Sequence, residues 1–363
     1  MPDISTQLVD AVKSAQADGS PVNICGFGSK AFLGRQPSGQ SLSLTGHSGI
    51  VNYHPVELIM TVRAGTSLSD IEAALAEHNQ TLSFEPPSFS KIGGTEQASI
   101  GGTLAANISG PARPWSGSVR DMVLGTRLIN GLGEHLRFGG QVMKNVAGYD
   151  ASRLQAGAMG TLGVLTEISL KVLPKHAASK TVVAPLDADK AVVTMNQLAG
   201  QAKPLWGACW MDGQLFVRFS GSSAAVESCV KQWHGTQLEP DAGAEFWTDL
   251  ANHRLSFFEG ELPLWRFSVG SAARISAPSA AGARDYVLDW GGSQRWLRGD
   301  FDPVELESMA QKMGGQVTRY RGGDRQTEVF HSAPPGMREL QRRVKKSFDP
   351  NGLFNPGRLY SWL

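Results

Sequence analysis

The chain has 363 residues, too many for one ordinary hydrophobic core and enough for two, each able to bury its apolar surface without covalent staples. Its 34 Lys and Arg against 33 Asp and Glu leave a net charge of +1, which excludes the basic footprint of a nucleic-acid or anionic-membrane binder. Its cysteines, Cys25, Cys209 and Cys229, share no CxxC spacing, which argues against a disulfide framework, a zinc ribbon or an iron–sulfur cluster held by this chain alone.

The first residues carry acids and no apolar signal core, and no run of about 18 apolar residues follows. The expectation is a cytoplasmic protein that meets a membrane only through partners. Residues 5–18 place Leu8, Val12 and Ala15 at helical spacing, closed by Gly19. Residues 21–25 read as a short strand emptying into Gly26, Phe27, Gly28, Ser29 and Lys30, and 58–62 read as another strand. Ser69 reads as the cap of a helix, with Glu72 completing a capping box. Leu68, Ile71, Leu75 and His78 mark its buried stripe, and Asn79 suits a left-handed stop.

Residues 93–110 are a run of small and hydroxyl residues with scarcely a bulky side chain. Such a chain lets a rigid ligand lie against main-chain N–H groups, and successive N–H groups facing one concavity hold anionic oxygens. The 26–30 loop and the stretch 157–163 have the same texture. Three such loops in one half of the chain point to an extended, phosphate-bearing cofactor rather than a single anion. Ser29 can donate to a phosphate oxygen and Lys30 can neutralise its charge. The first loop is not a Rossmann turn, because no helix follows it, and no Gly-Lys pair exists for a Walker A loop.

Residues 126–130 and 134–138 flank Gly131-Leu132-Gly133 as a hairpin. Asp150 can cap a short helix through Gln155. Residues 163–173 alternate as a half-buried strand, with Val164, Ile168, Leu170 and Val172 on one side and Leu165, Glu167, Ser169 and Lys171 on the other; Pro174 ends it. The texture then changes. Strands over 181–185, 205–211 and 215–219, the last two joined at Asp212-Gly213, interleave with helices over 187–199 and 222–234. A helix over 245–258, strands over 264–269 and 284–290 and a helix over 303–313 follow. This order implies an antiparallel sheet with helices on one face. A basic amphipathic helix over 337–348 precedes a tail expected to return to the first domain, and the domain boundary falls near residue 176.

The segments Cys25 to Lys30, Ser99 to Asn107, Gly148-Tyr149-Asp150 to Gly163-Val164, and the tail 348–358 together resemble the vanillyl-alcohol oxidase/p-cresol methylhydroxylase superfamily. More narrowly, the motifs at 144–150, 264–268 and 289–292 are similar to the FAD-binding E subunits of bacterial glycolate oxidases. The resemblance implies an α+β fold: a two-subdomain PCMH/VAO-type FAD-binding domain over 1–175, an α+β cap with a mainly antiparallel sheet over 176–335, and a C-terminal return over 336–363. It implies FAD, with Gly26, Phe27, Gly28, Ser29, Lys30, Ser99, Ile100, Gly101 and Gly102 along the pyrophosphate. Pro87, Ala105, Asn107, Ser109, Gly110, Gly148, Tyr149, Asp150, Gly160, Gly163, Val164 and Asn355 complete the implied cofactor site. It also implies partners, a larger FAD-linked subunit and an iron–sulfur subunit, and a small 2-hydroxy acid substrate such as glycolate.

Two departures from the superfamily stand out. No histidine occurs between Met1 and Gly46 to tether a flavin, so the FAD is expected to dissociate. The cap lacks the histidine-rich metal motif of catalytic relatives, its nearest text being Gly322-Gly323-Asp324-Arg325, so no metal is expected. Arg266 and Arg295 could meet a carboxylate and His331 could be a base. Each has a scaffold role as its rival, and for His331 that role is favoured. Five tryptophans, Trp206, Trp210, Trp265, Trp290 and Trp296, read mostly as core or interface. Three roles stay open: a relay or assembly subunit, a self-sufficient oxidoreductase, and a scaffold that holds flavin weakly. A bulky residue at Gly101 is expected to collide with the diphosphate while folding survives.

Overall fold

The computed structural model describes residues 3–95, 97–140, 149–274 and 286–363. Helix Ser5–Asp18 buries Leu8 and Val12 and ends at Gly19, whose φ of 61° is the left-handed conformation that glycine adopts without a Cβ penalty. Strand Val22–Cys25 pairs in parallel with Gln40–Ser43. A five-stranded antiparallel sheet runs Ile50–His54, Ile59–Arg63, Val164–Lys171, Val123–Ile129, His135–Gly139. Helices Ser5–Asp18, Leu68–Ala76 and Ile100–Ala106 cover it, packing Val12, Ile71, Leu75, Ile100 and Leu104 onto Val62, Leu128 and Ile168.

Two local expectations are corrected here. The cap of helix Leu68–Ala76 is Ser67, not Ser69: the Ser67 Oγ accepts the Asp70 amide at 3.0 Å. Strand Val164–Lys171 is more buried than expected: Leu165 and Ser169, on the side expected to be open, are 6% and 8% exposed against 0% for Ile168, while Glu167 and Lys171 are half-buried.

The second sheet has eight strands in the order Thr236–Gln237, Ala178–Pro185, Gln214–Gly221, Leu205–Met211, Tyr286–Asp289, Gln294–Arg298, Leu264–Ser268, Gln316–Arg321. Every pairing in it is antiparallel. Asp212 and Gly213, both at positive φ, make the two-residue hairpin turn. Helices Ala188–Ala199 and Ser223–Lys231 pack Val192, Met195 and Val226 on one face, against Ala208, Val217 and Phe219. Helix Pro303–Lys312 adds Leu306 and Ala310 against Trp265 and Leu297. The expectation of helices on one face only is corrected. Helix Pro240–Ala251 lies on the other, setting Trp247 against Cys209, whose neighbour Ala208 points oppositely. That helix is shorter than expected, its last predicted residues forming a separate 3₁₀ turn, Ser256–Phe258.

The tail after helix Pro335–Phe348 runs back to the first strand. Val22 donates to Leu353 O at 2.7 Å and accepts from the Asn355 amide at 2.9 Å. Among the described residues no helix is long and apolar enough to cross a membrane.

Candidate flavin site

A cavity of about 510 Å³ opens where the 26–30 loop, helix Ile100–Ala106, the 159–163 turn and the C-terminal tail converge. The structure brings to its wall Gly26, Phe27, Gly28, Ser29 and Lys30, then Ser99, Gly101, Gly102 and Ala105, then Gly160, Gly163 and Asn355. Cys25, Met159, Arg325 and Arg358 also line it, and none of them was named as a cofactor contact from the sequence.

The two glycine-rich segments contribute differently. Among the described residues, the amides of Phe27, Gly28, Ser29 and Lys30 donate to no protein acceptor, so this loop keeps its N–H groups for a guest. Ile100, Gly101 and Gly102 have already spent theirs, on Thr66 O, Ala64 O and Ser99 Oγ. Their small size serves close approach instead. A Cβ on Gly101 would lie 2.7 Å from the backbone oxygen of Ala64, so its bareness is needed by the fold. A Cβ on Gly102 meets only Ser99 Oγ, at 3.2 Å. The expected collision of a bulky Gly101 side chain with the diphosphate is therefore corrected: that side chain would strike Ala64, in the turn after strand Ile59–Arg63.

The wall is cationic. Lys30 is 8% exposed, and among the described residues its ammonium has one hydrogen-bond partner, Ser29 Oγ at 3.3 Å. Burial pulls its pKa down to about 7. Arg358 is brought down to about 10 by burial first and by Arg325 second. Among the described residues no Asp or Glu lines the cavity. Lys30, Arg325 and Arg358 around free amides fit an anionic, diphosphate-sized group, and the small-residue walls leave room for an extended one.

The remaining residues named from the sequence lie elsewhere. Ile100 and Val164 point into the core. Asn107 ends helix Ile100–Ala106 at φ 49°. Tyr149 is fully exposed, Asp150 caps helix Ala151–Leu154, and Gly148 lies outside the described residues. Pro87, Ser109 and Gly110 line a second, narrow crevice against the eight-stranded sheet, together with Arg266. Arg295 is occupied, donating to the carbonyls of Gly292, Ala273 and Arg274. His331 accepts the Val317 amide at 3.4 Å and lies beside Gln311. Trp210, Trp265 and Trp290 are buried, with their indole N–H groups or rings engaged. Among the described residues no cluster of three or more His, Cys, Asp or Glu side chains is set for a metal.

This fold and cavity define an FAD-dependent oxidoreductase built on the PCMH-type FAD-binding architecture. Residues 1–139 match the family model described as an FAD binding domain. The chain is 42% identical over 361 residues, 99% of both proteins, to glycolate oxidase subunit GlcE of Escherichia coli strain K12. It is 33% identical to glycolate oxidase subunit GlcD of Bacillus subtilis strain 168 over 50% of this chain and 36% of that one. An alkyldihydroxyacetonephosphate synthase structure superimposes with a TM-score of 0.64 at 15% identity, covering 97% of this chain and 75% of that one, a likeness of fold. The chain belongs to the glycolate oxidase subunit GlcE family.

Proposed function

We propose that this chain is the non-covalent FAD subunit of a glycolate oxidase-type assembly, working as an electron relay or assembly subunit beside a larger FAD-linked subunit and an iron–sulfur subunit. The assembly's substrate is a small 2-hydroxy acid, with glycolate going to glyoxylate. Residues 1–175 form the FAD domain, 176–335 the cap and 336–363 the return, and the protein works in the cytoplasm or at the inner membrane through its partners.

The observation that carries this reading is Lys30, a buried amine with no counter-ion among the described residues, facing a cavity rimmed by free amides. Gly26, Phe27, Gly28, Ser29 and Lys30 would hold the diphosphate, with Arg325 and Arg358 balancing its charge. Ser99, Gly102, Ala105, Gly160, Gly163 and Asn355 would flank the remainder, together with the other residues that the resemblance names. FAD, when bound, supplies a two-electron acceptor; the chain binds it, orients it and shields it from water. Dissociable binding is supported by the wall itself, whose described residues include no histidine. The one thiol there, Cys25, is engaged by Ser41 Oγ at 3.1 Å.

Purification of the chain alone and with its co-expressed partners tests the reading. The expected result is a yellow chain that releases all its flavin on acid precipitation, is not bleached anaerobically by glycolate alone, and is bleached within the complex. A colourless folded chain that rejects added FAD would sink it.

A further inference from the structure

The chain is close to neutral, yet its charge is unevenly spread. Helix Pro335–Phe348 carries five Lys and Arg against one acid, Glu339. Lys345 turns inward, buried and paired with Asp349. The other four cations, Arg338, Arg342, Arg343 and Lys346, are exposed. Arg338, Arg342 and Lys346 follow one another four residues apart and so stand in one row along the helix. Like charges at that spacing destabilise a helix, and its one acid is taken by Arg343, whose Nε donates to Glu339 Oε1 at 2.9 Å.

The arginines of this face are held in place before any partner arrives. The guanidiniums of Arg338 and Arg342 lie 5.8 and 5.1 Å from the ring of Trp362, which the end of the chain lays beside the helix. Trp362 stacks on Tyr360 at 4.8 Å, and the Tyr360 hydroxyl donates to His331 O at 3.0 Å. Arg338 Nε donates to Ala333 O at 2.8 Å. A fork fixed in this way loses little rotamer freedom on binding, and its planar N–H edge suits a carboxylate. Met337 and Leu340, three residues apart on the same helix, are 48% and 54% exposed. Arginine, methionine and tryptophan together are the composition that protein interfaces favour.

Two other occupants fit less well. The ring of Phe348 is turned onto Phe138 at 5.8 Å, against the core of the first domain. Met337 and Leu340 alone are too small an apolar face to sink among lipid tails. A two-fold contact with a second copy centred on this helix would set one basic row against another.

We propose that the outward face of helix Pro335–Phe348 is a docking surface for a carboxylate-rich face of a partner protein, with Arg342, Arg343 and Lys346 meeting its acids and Leu340 its apolar centre. This rests on the assembly reading above, the partner being one of the other subunits. The same helix reaches the flavin cavity from behind, since Lys345 Nζ donates to Thr161 O at 2.7 Å and to Phe354 O at 2.8 Å.

The test is association of the full FAD-loaded chain with the purified remaining subunits of the assembly, followed on a sensor surface. The wild-type rate should fall steeply between about 50 and about 300 mM salt. The Arg342→Glu/Arg343→Glu chain, with unchanged circular dichroism and flavin content, should associate roughly tenfold or more slowly at low salt and lose most of that salt dependence. Arg342→Lys/Arg343→Lys should keep the rate and dissociate faster, because charge remains and the fork is gone. Wild-type association indifferent to salt, or a folded charge-reversed chain that associates like wild type, would overturn the proposal alone. A wild-type chain that binds neither subunit overturns the assembly reading, and this one with it. The chain alone is also spun with phosphatidylglycerol vesicles and sized by light scattering. If charge reversal abolished vesicle binding, or dissolved a dimer, while subunit binding stayed intact, the face would belong to lipid or to a second copy, and the proposal would be overturned.

Discussion

The side-chain oxygen of Asn355 accepts the backbone amide of Ile24 at 2.7 Å, bridging a separation of 331 residues. Its Nδ2 donates to Met159 O at 2.6 Å. One carboxamide, 4% exposed, thus ties the strand ahead of the 26–30 loop to the 159–163 turn, two walls of the flavin cavity. Its φ of 42° is one that asparagine tolerates better than most residues. In Asn355→Ala the Ile24 amide loses its acceptor, a loss of about 1–3 kcal/mol. The expected outcome is a melting temperature several degrees lower and FAD release roughly tenfold easier, since about 1.4 kcal/mol is a factor of ten. Flavin fluorescence on dilution checks this, and wild-type retention would refute the role.

Gly101 and Gly102 are neighbours with opposite burdens. Gly101→Val should damage folding through the Ala64 carbonyl, giving poorly soluble protein and a clear loss of melting temperature. Gly102→Val has only the movable Ser99 hydroxyl to displace and projects beside the cavity. It should fold and bind FAD at least tenfold more weakly. Circular dichroism and FAD titration of the pair decide the matter. If Gly101→Val folded normally and lost FAD, the assignment of the two roles would be reversed.

Much of this arrangement is legible in the sequence, for local reasons. The 26–30 loop, the hairpin around Leu132 and the strand Leu205–Met211 follow from glycine placement and apolar alternation, which are properties of neighbouring residues. What was hidden is long-range. Arg325 and Arg358 reach the cavity because the chain after the second sheet and the tail close over it, and the motifs that contain them give no sign of that role. Strands Gln294–Arg298 and Gln316–Arg321 carry arginines at positions that alternation would leave to solvent, and that disguised them. The amide usage at residues 100–102 was likewise unreadable, because its acceptors at Ala64 and Thr66 belong to another turn.

Lys30 makes a pH prediction with a definite sign. In the unliganded fold its pKa is lowered from 10.5 to about 7, so between those values the unfolded chain binds more protons than the folded one. Stability of the flavin-free chain should therefore rise with pH from about 7 upward, and Lys30→Met should flatten that rise. A diphosphate beside Lys30 restores its proton, so FAD binding takes up a proton above about pH 7 and weakens as pH rises. Below that pH Lys30 is already charged and contributes no slope. Denaturant melts and FAD titrations at pH 6 to 9, on wild type and Lys30→Met, read both effects. An FAD affinity that strengthened with pH in the wild type alone would reverse the assignment.

The tail that delivers Asn355 and Arg358 is itself held by a buried ion pair. Lys345 Nζ lies 2.7 Å from Asp349 Oδ2 and also donates to Thr161 O and Phe354 O. Asp349, 1% exposed, accepts the amides of Leu353 and Phe354 as well. Burial lowers the Lys345 pKa, with Asp349 opposing. Removing the acid alone leaves that ammonium in a dry site and orphans two amides, so Asp349→Ala should cost about 3–5 kcal/mol. Lys345→Met leaves the acid still bonded to both amides and should cost less. The order of the two urea midpoints, at unchanged m value, checks the argument. Because Phe354 and Asn355 follow directly, Asp349→Ala should also speed flavin release, and Lys345→Met should do so less.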